Sequence, residues 1–277
     1  MDGVLWVDKP RGCTSFDVVD RVRRALGAET AGHTGALDPR ATGLLVILVG
    51  RAVKLAPFLS VLEKTYETTF RLGVVTTTDD LDGEVTGERP PVTDRAAIEA
   101  ALRGFVGPID QRPPAYSAVK VGGVRAYRRA RRGETVDLPV RRVTVQAIEP
   151  LSFEPLRLRV VCSAGTYVRA LARDLGERLG CGAAVDELRR TRVGPFAVEA
   201  AVADAAAGPA HVRPPEEAVG FLPTVRLEAE ALRDFVNGKP VAVEGEGVAA
   251  VFGPAGFVGI GRRRDGALRP ARVLYGR

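Results

Sequence analysis

The chain has 277 residues, enough for one large domain with a smaller one beside it. Its apolar fraction of 45% supports a substantial core, yet the longest apolar run, Leu44 to Val49, is too short to span a membrane. A net charge of +6 favours an acidic partner, nucleic acid first, and three scattered cysteines (Cys13, Cys162, Cys181) exclude a disulfide framework or zinc spacing and suit a reducing cytosol.

The N-terminus carries Asp2 and no apolar leader, so no signal peptide is expected. Val4 to Val7 reads as a short strand. Asp8-Lys9-Pro10-Arg11-Gly12 turns the chain, and Thr14 or Ser15 caps a helix. Phe16, Val19, Val22 and Leu26 mark its apolar face, and Gly27 ends it. Between Gly32 and Leu45, glycines and Pro39 predict a loop, and Leu44 to Val49 follows as a strand covered on both faces. Asp38 is the one carboxylate between Glu29 and Glu63, and His33 is one of two histidines. Two readings of Asp38 stand at this point. It accepts backbone hydrogen bonds in a tight turn, or it is a reactive group on a loop anchored by a buried strand.

Lys64 to Gly73 alternates and is rich in β-formers, so it is a strand with Tyr66 near its start. Thr76 to Gly83 is a polar loop. Its Asp79, Asp80 and Asp82 suggest a divalent cation, but the spacing does not continue as a calcium loop, and no metal is expected there. Thr93 caps a helix running to about Arg103. Between Asp110 and Glu134 come Arg112, Lys120, Arg125, Arg128, Arg129, Arg131 and Arg132 with no acid among them and with Tyr116 and Tyr127 interleaved. Such a run neutralises phosphates and stacks on unpaired bases; the plainer alternative is a solvated helix face.

Val143 to Ile148 and Leu156 to Cys162 alternate like neighbouring strands. Gly165-Thr166-Tyr167 then opens a helix with Leu171, Leu175 and Leu179 on one face and Gly180 at its end. Arg169 falls in its first turn, where the helix dipole disfavours a cation, so an anionic partner is expected nearby. Ala200 to Pro215 has weak periodicity and leads toward a boundary. After Pro223, a short helix (Ala229 to Val236) and short strands at Val241 to Val243, Val248 to Phe252, Phe257 to Ile260 and Ala271 to Leu274 predict a small β-barrel. Gly238-Lys239 is followed by Pro240, so no phosphate-binding P-loop exists. Gly245-Glu-Gly247 is followed by no helix, so it reads as a turn rather than a dinucleotide fingerprint.

Gly32-His33-Thr34-Gly35-Ala36-Leu37-Asp38-Pro39-Arg40-Ala41-Thr42-Gly43-Leu44-Leu45 resembles the signature of the TruB family of tRNA pseudouridine synthases, with Ala36 where Thr is common. Val7-Asp8-Lys9-Pro10-Arg11-Gly12-Cys13-Thr14-Ser15, Pro113-Pro114-Ala115-Tyr116-Ser117-Ala118-Val119-Lys120 and Gly165-Thr166-Tyr167-Val168-Arg169 are similar to further motifs of that family. The resemblance runs from Val4 to about Phe196. It implies that Asp38 is catalytic, that His33, Tyr66, Tyr167 and Leu188 hold the target base, and that Arg169, Asp80 and Lys9 support them. It also implies that the basic stretch is an insertion that grips the tRNA arm.

The expected fold is α+β: a pseudouridine-synthase-like mixed sheet with flanking helices and a basic insertion at about 108–135, plus a small C-terminal PUA-like β-barrel. The expected boundary separates a catalytic domain, 1–222, from an RNA-binding domain, 223–277. The reaction that the resemblance implies is isomerisation of uridine-55 in the T-loop of tRNA by a cytoplasmic monomer, with no cofactor, metal, membrane or protein partner. Breaking the glycosidic bond builds positive charge on the ribose, and a carboxylate can stabilise that charge, attack it, or remove a sugar proton. A hydrolytic nucleosidase using Asp80 as second carboxylate, and a non-catalytic RNA chaperone, are the competing classes.

Overall fold

The computed structural model describes residues 1–117, 119–130, 132, 134 and 138–276. β1 (Gly3–Lys9) leads to α1 (Ser15–Ala25), β2 (Ala31–His33), β3 (Thr42–Val49) and α2 (Ala56–Ser60). β4 (Lys64–Leu72), the hairpin β5 (Val74–Thr76) and β6 (Val85–Glu88), α3 (Arg95–Arg103) and β7 (Gly107–Gln111) follow. The basic stretch carries β8 (Lys120–Val121), β9 (Val124–Arg125) and α4 (Ala126–Ala130). Next come β10 (Arg141–Phe153), β11 (Leu156–Cys162), α5 (Val168–Leu179), β12 (Ala183–Val193), β13 (Phe196–Ala197) and β14 (Val202–Ala203). The chain closes with β15 (Thr224–Arg226), α6 (Ala229–Val236), β16 (Val241–Ala242), β17 (Gly247–Gly253), β18 (Gly256–Arg264) and β19 (Ala267–Val273). The mixed sheet with few helices is the α+β class that the sequence predicts.

Two compact units emerge. One gathers residues 1–38, 45–60 and 200–277. Within it, β1 lies beside β3, and β2 runs antiparallel to β3 with His33 opposite Ile47. β2 is a departure from the loop expected across Gly32 to Leu45. β3, buried from Gly43 to Val49, offers an unpaired edge there, and three residues take it. The apolar face of α1 (Val18, Val19, Val22) packs with Leu5, Val7, Leu45, Ile47 and Val49. Its N-terminus is a capping box: Thr14 Oγ accepts from Asp17 N–H at 3.1 Å and Asp17 accepts from Thr14 N–H at 2.8 Å. The stretch after Ala200 is not a free linker. Val202 and Ala203 pair with Val7 and Asp8, and Arg213 pairs with Val4. Further on, the strands in the order β15-β17-β18-β19-β16 form a curled half-barrel, with Phe235 and Val236 of α6 in its core beside Val251, Val258 and Leu268.

The other unit gathers residues 39–44 and 61–199. Its sheet runs β12-β4-β11-β10-β7, antiparallel throughout. No element is assigned to β12 from the sequence, because the charged Glu187-Leu188-Arg189-Arg190 carries no strand alternation. It becomes a strand because it is paired on both sides: Arg189 and Arg190 run parallel to Thr42 and Gly43 as well as antiparallel to β4. Arg190 is buried, and its Nε donates to Leu44 O at 2.8 Å. Gly43 has φ +103°, and a Cβ there would sit 2.3 Å from Arg190 O, so only glycine fits. α5 lies against β12, and Gly176 makes that approach possible, since a Cβ would meet Ala183 N at 2.1 Å. α3 is capped by Asp94, not the expected Thr93. The Asp94 carboxylate accepts from Ala96 N–H at 2.9 Å and also complements the helix dipole.

Candidate active site

The loop that ends at Asp38 is held from below by α1. Ser15, buried at the start of that helix, accepts from Leu37 N–H at 2.8 Å and donates to Leu37 O at 3.1 Å. Both backbone groups of the residue before Asp38 are thereby fixed by one hydroxyl. Thr34 N–H donates to Val46 O, which ties the other end of the loop to β3. Lys9 has no exposed surface. Its ammonium donates to Pro10 O and Cys13 O, each at 2.8 Å, and so holds the turn that launches α1. His33 Nδ1 accepts from Gly35 N–H at 3.2 Å, which fixes the plane of the ring beside the loop. Asp38 itself is half-buried. Two residues further on, Arg40 is clamped in its own unit: it donates to Asp186 O at 2.6 Å and forms ion pairs with Asp82 at 2.6 Å and Asp186 at 2.9 Å.

Arg169 emerges from the first turn of α5 into a set of acceptors. Its guanidinium donates to Thr78 O at 2.8 Å and Tyr116 O at 2.9 Å, and its Nε lies 3.6 Å from Asp80. Asp80 is fixed in turn by Thr78 Oγ at 2.6 Å and by Asp82 N–H at 3.1 Å. The structure thus brings Arg169 and Asp80 together, with Arg169 buried. The neighbouring Asp79 pairs with Arg173 at 3.1 Å. Burial pushes the Asp79 carboxyl up to about 6, against the opposing pull of Arg173 and Arg169. The three loop aspartates therefore face arginines.

On the sheet, Tyr66 is buried in β4, directly opposite Val160 and Arg190. Leu188 lies opposite Thr68. Cross-strand partners share a face and alternate residues return to it, so Tyr66 and Leu188 are diagonal neighbours on one face. Lys64, two residues before Tyr66, is pushed down to about 8 by burial and by Arg190. Tyr167 caps α5, and its backbone is pinned at both ends by Gln111. The Gln111 carbonyl accepts from Tyr167 N–H at 2.8 Å, and its amide donates to Tyr167 O at 3.1 Å. The Tyr167 ring packs on Val119, Ala126 and Leu138, the small core under the basic stretch. A flat aromatic and an aliphatic side chain on a rigid sheet suit the face of a nucleobase.

Of the basic residues, Arg112 and Arg132 are exposed. Arg129 is paired with Glu134 at 2.6 Å, so the acid that ends the run neutralises part of it. Arg131 lies outside the described residues, as do the side chains of Lys120, Arg125 and Arg128.

Sequence reasoning passed over four contributors to these arrangements. Ser15 was visible as a possible helix cap and as the last residue of the Val7 to Ser15 motif, with no role of its own. Arg40 lay inside the signature without a stated role. Gln111 and Arg173 carried no local signal, because their partners are distant in sequence.

Comparison with known proteins follows the same lines. A family model described as "TruB family pseudouridylate synthase (N terminal domain)" matches residues 23–168, and two TruB C-terminal models match 169–207 and 223–274. A protein named tRNA pseudouridine synthase B from Thermobifida fusca (strain YX) is 48% identical, covering 99% of each chain. One of the same name from Cupriavidus pinatubonensis (strain JMP 134 / LMG 1197) is 46% identical over 98% of this chain and 94% of the relative. Among solved structures, a chain from the crystal structure of a Cbf5-Nop10-Gar1 complex superposes with a TM-score of 0.76 at 27% identity, covering 99% of this chain and 85% of the other. With relatives this similar along its whole length, the chain belongs to the TruB family of pseudouridylate synthases.

Proposed function

We propose that this protein isomerises uridine to pseudouridine in tRNA, at position 55 of the T-loop, with Asp38 as the reacting carboxylate. The observation that carries the reading is the end-to-end similarity to proteins named tRNA pseudouridine synthase B. Geometry within each unit supports the assignment of roles. Asp38 ends a loop whose preceding residue is held by Ser15 at both backbone groups. Arg169 is a buried cation with a fixed guanidinium plane, and it serves to keep the reactive carboxylate ionised.

The target base leaves the stack before any side chain reaches it. Tyr66 and Leu188 receive its faces, Tyr167 closes the wall beside them, and His33 supports the displaced nucleotide. The bond from C1′ to N1 breaks with Asp38 beside the developing positive charge. The base turns, and a new bond joins C1′ to C5. The C5 proton is lost and N1 gains one, so the product is an isomer and no oxidant or hydrolytic water is consumed. Asp80 orients Arg169. Lys9 supports the turn on which α1 rests.

Affinity comes from the T-arm backbone meeting Arg112, Lys120, Arg125, Arg128, Arg129, Arg131 and Arg132, with the PUA-like domain at 223–277 adding further binding to RNA. The protein acts as a cytoplasmic monomer without a protein partner, and no helix among the described residues is long and apolar enough to cross a membrane. The test is to incubate the protein with unmodified tRNA and map pseudouridine at nucleotide resolution while assaying free uracil. Pseudouridine at position 55 without uracil release is the expected result. Uracil release would identify a hydrolase, and modification elsewhere would overturn the site assignment.

A further inference from the structure

We propose that Arg173, gripped by Asp79, is a positioning residue that ties the root of the basic insertion to the turn holding Arg169. The proposal rests on the reading that Arg169 serves the reactive carboxylate. Arg169 and Arg173 are one helical turn apart on α5, so their side chains leave the same face. Both reach the same two segments. Arg169 joins Thr78 O to Tyr116 O, at 2.8 and 2.9 Å. Arg173 joins the Asp79 carboxylate to Arg112 O, at 3.1 and 2.9 Å, with Asp174 holding its remaining edge at 2.9 Å. The guanidinium groups thus form two parallel straps between the 78–80 turn and the 112–116 segment, where the chain enters the insertion.

The 78–80 turn is itself fixed. Asp79 adopts φ +62°, a left-handed conformation uncommon for a residue with a side chain, and its carbonyl accepts from Val185 N–H at 3.0 Å. Leu81 N–H returns a bond to Val185 O. The Asp79 carboxyl is mostly buried and surrounded by Arg173, Arg169 and Asp174 on α5 and by Asp80 on its own turn. Burial outweighs the two arginines, so the ionised pair is not a source of stability. What it provides is a fixed distance. When RNA draws on the insertion, the displacement reaches Arg112 O, then Arg173 and Asp79, and hence the turn whose Thr78 and Asp80 hold Arg169.

The experiment uses the full chain with Arg173→Ala, Arg173→Lys and Asp79→Asn, on unmodified tRNA. Single-turnover pseudouridine formation at saturating enzyme is measured apart from tRNA Kd, and exchange over 112–116 is followed at its three backbone amides, those of Arg112, Ala115 and Tyr116. Arg173→Ala is expected to slow the single turnover about tenfold with Kd changed less than about threefold, and to speed exchange at 112–116. Arg173→Lys, which spans one partner at a time, should recover part of the rate. The wild-type rate should decline as pH falls through about 6, as Asp79 takes up a proton and releases Arg173. That limb should be missing in Asp79→Asn. Wild-type rates in Arg173→Ala, or a loss confined to Kd, would overturn the proposal. Wild-type protein that makes no pseudouridine would instead count against the functional reading, and unchanged exchange at 112–116 would still sink the strap independently.

Discussion

Replacing Ser15 by alanine separates the two things its hydroxyl does. The side chain is buried, accepts from Leu37 N–H at 2.8 Å and donates to Leu37 O at 3.1 Å. Alanine leaves both partners without that hydroxyl, and a buried orphaned group costs about 1–3 kcal/mol. In a chain of this size each kcal/mol lowers the unfolding midpoint by roughly 2–4 °C, so a fall of about 2–12 °C is expected. The functional effect should be larger than this stability loss suggests. Asp38 is the next residue, and misplacing a reacting group by about an ångström costs on the order of a hundredfold in rate. Single-turnover pseudouridine formation, run well below the lowered midpoint, should therefore fall about 10- to 100-fold while tRNA Kd holds. A variant that loses the expected stability but keeps the wild-type rate would show that the loop presents Asp38 without help from α1.

Burial, charge and domain layout set three further outcomes. A carboxyl raised from 3.8 to about 6 binds more protons folded than unfolded, so Asp79 contributes stability below about pH 4 that is lost as pH rises through about 6. At about 1.4 kcal/mol per pKa unit, Asp79→Asn should gain up to about 3 kcal/mol on wild type between pH 4 and 7.5 in urea unfolding, and a pH-independent difference would refute the burial argument. Replacing Arg128, Arg129, Arg131 and Arg132 by alanine should flatten the salt dependence of tRNA binding, by up to about one unit of slope for each phosphate no longer neutralised. Arg129, already paired with Glu134, should contribute least, and an unchanged overall slope would mean these side chains face solvent only. Deleting the chain after Pro223 should leave a cooperatively folding enzyme with weaker tRNA binding, whereas broad, non-cooperative melting would show that 223–277 is part of one folding unit with the rest.

The elements with strong local signals were legible. Thr14 as a cap, Val19, Val22 and Leu26 on one helix face and the Leu44 to Val49 run each carry a cap, a period or a continuous apolar stretch that survives into the fold, whereas Phe16, which the same spacing places on that face, is exposed and Val18 is buried in its stead. The C-terminal strands were legible because glycine turns separate them. What escaped depends on pairing across long sequence separations. β12 carries no strand alternation in its charged residues and forms where β4 and Thr42-Gly43 flank it and Leu44 O meets Arg190. β2 exists because β3 has an edge to offer, and no pattern in Ala31-Gly32-His33 encodes that. Asp38, Arg169 and Tyr66 stand out through the motifs that surround them. Ser15 and Gln111, which fix the backbone of Leu37 and Tyr167, act through single hydrogen-bonding groups, and such partners leave no periodic trace.

Asp38→Asn tests the central claim most directly. Asparagine keeps the shape and one acceptor oxygen but lacks the negative charge, and it can serve neither as nucleophile nor as base. A turn residue would tolerate the change with a stability loss of roughly 1 kcal/mol and near-normal activity. The measurement is single-turnover pseudouridine formation in tRNA at saturating enzyme, with tRNA Kd determined on the same preparation. A reacting carboxylate at this position predicts a rate lower by several orders of magnitude with binding retained. A near-normal rate would contradict it and move the search for the reacting carboxylate to Asp80.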